Sequence, residues 1–399
     1  MKWKKKKLCE CTEYITDGDH QPAPKADKGV HFIKIKDIVN NQVSFDAQVY
    51  VPQEYYDNLP MERKPQKEDV LYTVVGSFGI PSYVQTDELF CFERNIALLH
   101  PNKDIEPRFL YYSLKNPAFY KGVEIVANGS AQKLIPLSKL KDLKISVPDK
   151  EAQRHIADIL SAYDDLIENN QKQIKLLEEA AQRLYKEWFV DLNFPGHENT
   201  EIVDGVPEGW SKSTVSEVSA VLRRGISPKY NEKARGIVIN QKCIRQTIVS
   251  YDEARTQEKK YPAELEMMES DIVICSTGAG TLGRVGQIFE AKGNATLDSH
   301  VTLIRANEKI GQQSLFWSLK MKQDYLMNAG KGSTNQLELS RETIGSCEIL
   351  IPERKIAEQV EKNFVAIHNK MKECSMQIAR LREVRDLLLP KLMSGEMEV

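Results

Sequence analysis

The amino-acid sequence repeats itself, and this repeat constrains the fold more than any other feature. Residues of the first half recur in the second half in the same order, and the offset drifts only as expected if insertions fall in loops. The matched positions are Trp3 and Trp210, Glu10 and Glu217, Gly18 and Gly225, Ile33 and Ile239, Lys36 and Lys242, Asp69 and Asp271, Ser113–Lys115 and Ser318–Lys320, and Gly129-Ser130 and Gly332-Ser333. A chain with two similar halves can fold with pseudo-two-fold symmetry, which suits a partner that is itself nearly two-fold symmetric.

The composition is that of a soluble globular protein. The 399 residues are 41% hydrophobic and 28% charged, and no apolar run approaches the roughly 18 residues that a membrane helix needs. The lysine-rich segment Lys4–Lys7 is followed by Cys9, Glu10 and Cys11 rather than by an apolar run, so we expect no secretion signal. Seven scattered cysteines without a CxxC pair favour reduced thiols in the cytoplasm and argue against a zinc site.

The net charge of −2 excludes one class of nucleic-acid binder. A protein covered in positive charge would be strongly basic. Two local basic faces, offset by acidic helices, remain compatible with this charge.

The pattern of apolar residues predicts an α+β protein in four parts. Residues 1–150 form a first α/β domain, 151–192 a long helix, 193–352 a linker and a second similar domain, and 353–399 a second long helix with a tail. Within the first domain we expect strands at 30–38, 70–75 and 144–147 and a helix at 107–120.

Both long helices carry a heptad seam, in which apolar or small residues alternate at spacings of four and three. In the first helix the seam is Ile156, Leu160, Tyr163, Ile167, Asn170, Ile174, Leu177, Ala181, Leu184 and Trp188. In the second it is Ala357, Val360, Phe364, Ile367, Met371, Cys374, Ile378, Leu381, Arg385 and Leu388. Because the seams are equally long and each follows an equivalent domain, we expect the helices to pair as an antiparallel coiled coil. Asn170 is either a tolerated polar position or a residue that fixes the register, and Pro390 is expected to end the second helix.

The sequence offers little that would carry catalysis. It lacks the Asn-Pro-Pro-aromatic and Asp-Pro-Pro-aromatic runs of amino-methyltransferases, a GxxxxGK[ST] phosphate loop and an HExxH motif. Gly278–Gly283 spells GxGxxG with Asp298 downstream, but Arg284–Phe289 alternates like a strand where a dinucleotide site would open a helix. We interpret this segment as a glycine-rich hairpin turn.

Polar loops fall at matched places in the two halves. Residues 16–20 are matched by 223–227, and residues 128–133 by 331–336. Asn, Gln, Arg and Lys side chains read base edges, while Ser, Thr and Lys hold phosphates. Matched polar loops therefore favour a recognition surface for duplex DNA, which is itself nearly two-fold symmetric.

These features together resemble the specificity subunit of type I restriction–modification systems. The resemblance is carried by the doubled architecture and by five segments in order: Ile15–His20, Asn128–Ser130 ahead of Ser146-Val147-Pro148, the helix end Leu184–Val190, Asn193-Phe194-Pro195, and Val206–Trp210 at the start of the second half.

The resemblance implies two target recognition domains, each reading one half of a bipartite DNA target in the major groove. It implies helices that set the spacer between the half-sites and dock two methyltransferase subunits, which bind S-adenosylmethionine. A restriction and translocation subunit can join such a complex. The chain itself would be non-catalytic and bind no cofactor directly. The alternatives are a nucleotide-cofactor-dependent enzyme built around Gly278–Gly283 and a coiled-coil scaffold with two protein-binding ends.

Recognition domains of this family vary, so we choose candidate DNA contacts by side-chain chemistry alone. In the first half these are Lys34, Lys36, Ser77, Gln132 and Lys133. In the second half they are Arg223, Arg224, Lys242, Arg284, Asn335 and Gln336. Trp188 and Phe189, at the end of the first long helix, are candidate anchors for a methyltransferase subunit.

Overall fold

The computed structural model describes residues 3–39, 41–127, 133–278, 280–330 and 337–398. The chain divides into two compact units. The first unit consists of residues 1–169 and 378–399, and the second unit of residues 170–377. Each unit therefore contains one globular part together with a portion of both long helices.

The globular part of the first unit mixes short strands and short helices. Its strands are β1 (Lys4–Lys7), β2 (Thr12–Asp17), β3 (Val30–Ile33), β4 (Ile38–Val39), β5 (Gln42–Val43), β6 (Tyr50–Val51), β7 (Val70–Thr73), β8 (Pro81–Tyr83), β9 (Phe90–Phe92), β10 (Ile96–Pro101) and β11 (Lys144–Val147). Its helices are α1 (Leu8–Cys11), α2 (Gln53–Asp57), α3 (Pro107–Lys115), α4 (Pro117–Val126) and α5 (Leu137–Asp142).

A four-stranded antiparallel sheet, in the order β2-β10-β7-β8, forms the centre of this part. All four residues of β7 are buried, as expected for a strand covered on both faces. A three-stranded sheet, β6-β3-β9, lies beside it, and its β3–β9 pair is parallel. The largest core of the unit contains Tyr72, Phe109 and Leu110, which are fully or almost fully buried.

Two local predictions need correction. The strand expected at 30–38 stops at Ile33, because the Asp37 carboxylate accepts a hydrogen bond from the Lys34 backbone N–H at 2.9 Å and closes a 3₁₀ turn at Ile35–Asp37. The helix expected at 107–120 is two helices, since α4 restarts at Pro117 with the Asn116 side chain accepting from the Ala118 backbone N–H at 3.0 Å.

The globular part of the second unit has the same kinds of element. Its strands are β12 (Ile202–Val203), β13 (Val206–Pro207), β14 (Ser211–Thr214), β15 (Ser219–Arg224), β16 (Gly236–Ile239), β17 (Arg255–Gln257), β18 (Ile272–Cys275), β19 (Val285–Gln287), β20 (Ala295–Leu297), β21 (Val301–Ala306) and β22 (Glu348–Ile351). Its helices are α7 (Gln312–Met321), α8 (Gln323–Asn328) and α9 (Arg341–Gly345).

The internal topologies of the two units match, which confirms the predicted repeat. The sheet β15-β21-β18-β19 corresponds to β2-β10-β7-β8, and β17-β16-β20 corresponds to β6-β3-β9. The match extends to a pair of glycines. A Cβ added to Gly18 would lie 2.2 Å from the carbonyl oxygen of Phe92, and one added to Gly225 would lie 2.2 Å from the carbonyl oxygen of Asp298. Only glycine permits so close an approach of two backbone segments.

The two long helices are α6 (Lys150–Tyr185), which continues as a π-helical turn at Lys186–Val190, and α10 (Arg354–Ser394). Every seam side chain in both helices is buried or half-buried, and Asn170 is 6% exposed. Among the described helices, none combines the length and the apolar character that a bilayer-spanning segment needs.

Within each unit the helices run antiparallel. In the first unit, the Arg385 guanidinium contacts the Asp164 carboxylate, and the earlier residue Ile156 shares a core with the later residue Leu392. In the second unit, the Cys374 thiol lies 3.7 Å from Oε1 of Gln173. There the later α6 residues Ala181 and Tyr185 share a core with the earlier α10 residues Ile356, Val360 and Phe364.

Pro390 does not end the second helix, contrary to the sequence-based prediction. The helix continues to Ser394 because Leu389, Leu392 and Met393 are buried in the core of the first unit and hold the last turn in place. Gly395, whose φ is 75°, follows the helix directly.

Candidate nucleic-acid interface

In the first unit, several turns meet at one end of the sheet β2-β10-β7-β8. The Gly76 backbone N–H donates to the Lys133 carbonyl at 3.2 Å, and the Val74 backbone N–H donates to the Asn95 carbonyl at 2.9 Å. These bonds join the turn after β7 to the turn before β10 and to the segment at Lys133. We name this the first sheet-end surface, formed by residues 17–20, 34–37, 74–80, 93–95 and 133–135.

Four of the five candidates in the first half lie on this surface. Ser77 and Lys133 are exposed, and the Lys133 ammonium lies 5.6 Å from the ring centroid of Phe78. Lys34 and Lys36 flank Ile35, whose backbone N–H donates to Oε1 of Glu93 at 2.8 Å. This bond holds both lysines next to the turn before β10. The fifth candidate, Gln132, lies outside the described residues.

The second unit has an equivalent surface at the corresponding end of its sheet. The Ser276 backbone N–H donates to the His300 carbonyl at 2.8 Å, and the Leu339 N–H donates to the Ser276 carbonyl at 2.9 Å. On the far side of β18, the Cys275 N–H donates to the Arg284 carbonyl at 2.9 Å. The second sheet-end surface is formed by residues 224–227, 241–243, 275–278, 280–284, 298–300 and 337–339.

Three candidates of the second half lie on this surface. Arg224 is at the end of β15, Arg284 lies between the glycine-rich turn and β19, and Lys242 is in the 3₁₀ turn after β16. Arg224 and Arg284 are half-buried, whereas Lys242 is exposed. Asn335 and Gln336 lie outside the described residues.

Arg223, the remaining described candidate of the second half, does not lie on this surface. Strand residues alternate between the two faces of a sheet, so the side chain of Arg223 points away from that of its neighbour. Its guanidinium pairs with Oε2 of Glu264 at 2.7 Å. Nearby, Arg305 pairs with the buried Asp271 at 2.6 Å and donates to the Glu264 carbonyl at 2.9 Å. The charges of Arg223 and Arg305 are thus balanced by Glu264 and Asp271 on this face.

Both surfaces also carry carboxylates, which the sequence analysis did not single out as contacts. In the first unit, Asp19 accepts from the Tyr55 hydroxyl at 3.0 Å and pairs with Arg63 at 3.2 Å. Burial raises the pKa of Asp19, but hydrogen bonds from the Gln21 backbone and Tyr55, with the charge of Arg63, outweigh it and lower the pKa below its ordinary value. In the second unit, Asp298 is buried, which raises its pKa, and the exposed carboxylate is Glu338, with 54% of its side chain accessible. The surfaces therefore present donors and acceptors together, the mixture that base edges require.

The glycine-rich segment is a hairpin turn, as predicted. It joins β18 to β19, which pair antiparallel, and no helix begins there. Gly278, Gly280 and Gly283 have φ values of 106°, 75° and 75°, which only glycine adopts without strain. A strand rather than a helix follows the turn, so the dipole that would receive a pyrophosphate is missing from this described segment.

Trp188 and Phe189 are not exposed anchors. Each is only 7% exposed, inside the core of the second unit. The Phe189 ring lies 4.7 Å from Tyr185 and 5.5 Å from Trp210, and Phe194 lies 4.7 Å from Trp210. The linker after α6 folds back and covers the aromatic helix end, so these residues stabilise the unit rather than offer a surface to a partner.

Comparison with protein-family models finds one family in both halves of the chain. The model of the Type I restriction modification DNA specificity domain matches residues 1–179 and again residues 207–373. The chain belongs to this family. Its members are DNA-recognition components of type I restriction systems and are not catalytic, so the expectation of a non-enzymatic recognition subunit is confirmed.

Individual relatives agree with this family. The chain is 26% identical over 448 residues to the type I restriction enzyme HindI specificity subunit of Haemophilus influenzae, a match covering 92% of this chain and 94% of that one. It is 28% identical over 320 residues to the MjaIX specificity subunit of Methanocaldococcus jannaschii, covering 77% and 72%. The crystal structure of a type I S subunit from M. genitalium is similar in fold, with a TM-score of 0.61 at 18% identity over 98% of this chain and 96% of that one.

Within the described residues, no group of three or more His, Cys, Asp or Glu side chains is placed to hold a metal ion.

Proposed function

We propose that each sheet-end surface reads one half of a bipartite DNA target. The observation that carries this proposal is that matched topology places Lys34, Lys36, Ser77 and Lys133 at the sheet end of one unit and Arg224, Arg284 and Lys242 at the same end of the other. The two scaffolds match, yet the side chains they present differ. Such an arrangement suits a target whose two halves have different sequences.

We further propose that α6 and α10 set the spacing between the half-sites and dock two methyltransferase subunits. Those subunits bind S-adenosylmethionine and methylate adenines, a restriction subunit can join the complex, and the assembly works in the cytoplasm. Because Trp188 and Phe189 are buried, docking falls to the exposed side of the helices. Leu176 and Leu387 expose 63% and 61% of their area there and supply apolar contact surface.

The DNA contacts are tested by replacing Arg224 and Arg284 together with alanine in the chain assembled with its methyltransferase subunits. Each phosphate contact that is lost reduces the slope of log affinity against log salt concentration by about one. Losing a base contact weakens binding to the target more than to random DNA. Arg223→Ala, on the opposite face of the same strand, is the matched control and should leave both quantities unchanged. Unchanged affinity and salt slope in the double variant would contradict the proposed surface.

A further inference from the structure

Arg224 is held in place by a residue that the sequence analysis did not single out. Its guanidinium pairs with the Glu338 carboxylate, and its other terminal nitrogen approaches the Ser276 carbonyl at 3.5 Å. The Nε–H is buried and has no hydrogen-bond partner among the described residues. These contacts hold the guanidinium beside Glu338, and 32% of the Arg224 side chain remains exposed at the sheet end.

The backbone of Glu338 is itself fixed. It forms an antiparallel bridge with Thr277, and the next residue, Leu339, is fully buried and donates its N–H to the Ser276 carbonyl at 2.9 Å. The Ser276 hydroxyl in turn lies 2.6 Å from that of Thr302. The pose of Arg224 therefore rests on β-structure, which gives a recognition side chain the rigidity that selective contact needs.

Stability does not account for this pair. Glu338 is 54% exposed, and an exposed ion pair contributes little to folding. The corresponding positions of the first unit are identified by the matching bridges Val75–Leu134 and Thr277–Glu338 and by the matching glycines after the strand. There the strand ends in Asp17 and the bridge residue is Leu134. Both members of the pair have been replaced on an otherwise matching scaffold, as expected if the pair serves what this half reads.

We propose that Glu338 is a specificity-determining positioning residue: it aims the Arg224 guanidinium at a guanine edge and, by its charge, discourages use of that guanidinium as a phosphate clamp. This inference rests on the proposed function. Arginine contacts O6 and N7 of guanine through two parallel N–H groups, which requires a fixed orientation. A carboxylate beside the arginine also repels backbone phosphate, which penalises binding that lacks the base contact.

The test is binding-site selection from a pool of random-sequence DNA duplexes, using the chain assembled with methyltransferase subunits. The wild-type complex should enrich two blocks of fixed bases. Glu338→Gln preserves the shape of the side chain and removes its charge. The Glu338→Gln complex should enrich a motif in which one guanine of one block is no longer fixed and the other block is unchanged. It should also bind random DNA several-fold more tightly. Glu264→Gln, which alters the ion-pair partner of Arg223, is the matched control and should enrich the wild-type motif.

A positioning residue acts only through the residue that it positions. Arg224→Ala should therefore lose the same guanine as Glu338→Gln, and the double variant should enrich the same motif as Arg224→Ala alone. An unchanged motif in Glu338→Gln, or a double variant that differs from Arg224→Ala, would overturn the inference while leaving the proposed function intact. A wild-type complex that enriches no motif would overturn the proposed function and this inference with it.

Discussion

The change Asp164→Asn should destabilise the first unit, because Asp164 is the anion of a charge cluster between α3, α6 and α10. Its carboxylate contacts Arg385, lies 3.4 Å from the Lys115 ammonium and accepts from the Tyr112 hydroxyl at 2.8 Å. Burial raises the pKa of Asp164, but the charges of Lys115 and Arg385 and the hydrogen bonds outweigh it and hold the pKa below its ordinary value. The carboxylate is therefore ionised at neutral pH.

The magnitude follows from exposure. Asp164, Arg385 and Lys115 expose 24%, 12% and 14% of their side chains. Removing one partner of a buried ion pair costs about 3–5 kcal/mol, and partial exposure places this site at about 3 kcal/mol, or roughly 6–12 °C in Tm for a unit of this size. The neighbouring Asp165 is 55% exposed and 3.4 Å from Arg108, so Asp165→Asn should cost less than about 1 kcal/mol.

Urea unfolding of the full chain measures the free energies, and hydrogen exchange in peptides covering α3 and residues 378–389 localises the loss. Asp164→Asn should accelerate exchange there and leave β18, in the second unit, unchanged. A double-mutant cycle with Arg385→Met should show coupling above about 1 kcal/mol. Equal costs for Asp164→Asn and Asp165→Asn, or accelerated exchange in both units alike, would refute the reasoning.

Three further predictions concern the second unit and the helices. Burial, with a small contribution from Lys372, lowers the pKa of His368 to about 4. The imidazole of the unfolded chain takes up its proton near pH 6.5. The stability due to neutral His368 is therefore fully present above pH 6.5 and is lost as the pH falls to about 4. The loss is roughly 3 kcal/mol, measured by urea unfolding at each pH, and His368→Gln should flatten it. Gly225→Ala should cost about 1–3 kcal/mol in thermal unfolding through its backbone clash. Gly293→Ala should be neutral, since no atom of the described residues lies within 4 Å of its Cβ position. Equal effects of the two changes would contradict the account of the repeat. Leu176→Glu should reduce co-purification of methyltransferase subunits without altering the melting temperature, and undiminished co-purification would remove Leu176 from the docking surface.

The repeat and the heptad seams could be predicted because both are properties of residue order. Equivalent glycines mark equivalent backbone crossings, and the seam positions are buried or half-buried as expected. The predicted first helix ends near the observed π-helical turn at Lys186–Val190. Pro390 could not be placed correctly, because proline ends an isolated helix but is tolerated where neighbouring side chains are buried in a core.

The candidate site was predicted less well, for identifiable physical reasons. Trp188 and Phe189 form an apolar helix end, and local sequence does not reveal that Phe194 and Trp210 cover it. Arg223 and Arg224 are adjacent in sequence, and only the strand at Ser219–Arg224 shows that they lie on opposite faces. No sequence pattern marks Glu338 as a recognition residue, since its proposed role depends on the bridge to Thr277 that brings it to Arg224.

The central claim, that the two units read the two halves of one bipartite target, is tested most directly by mapping methylated adenines across a host genome. The map would be made in cells with the wild-type chain, without it, and with Arg224→Ala. We predict one motif of two fixed blocks separated by unspecified bases, absent without the chain, and relaxed in one block only by the variant. A continuous motif, or a methylation pattern that does not depend on the chain, would contradict the account.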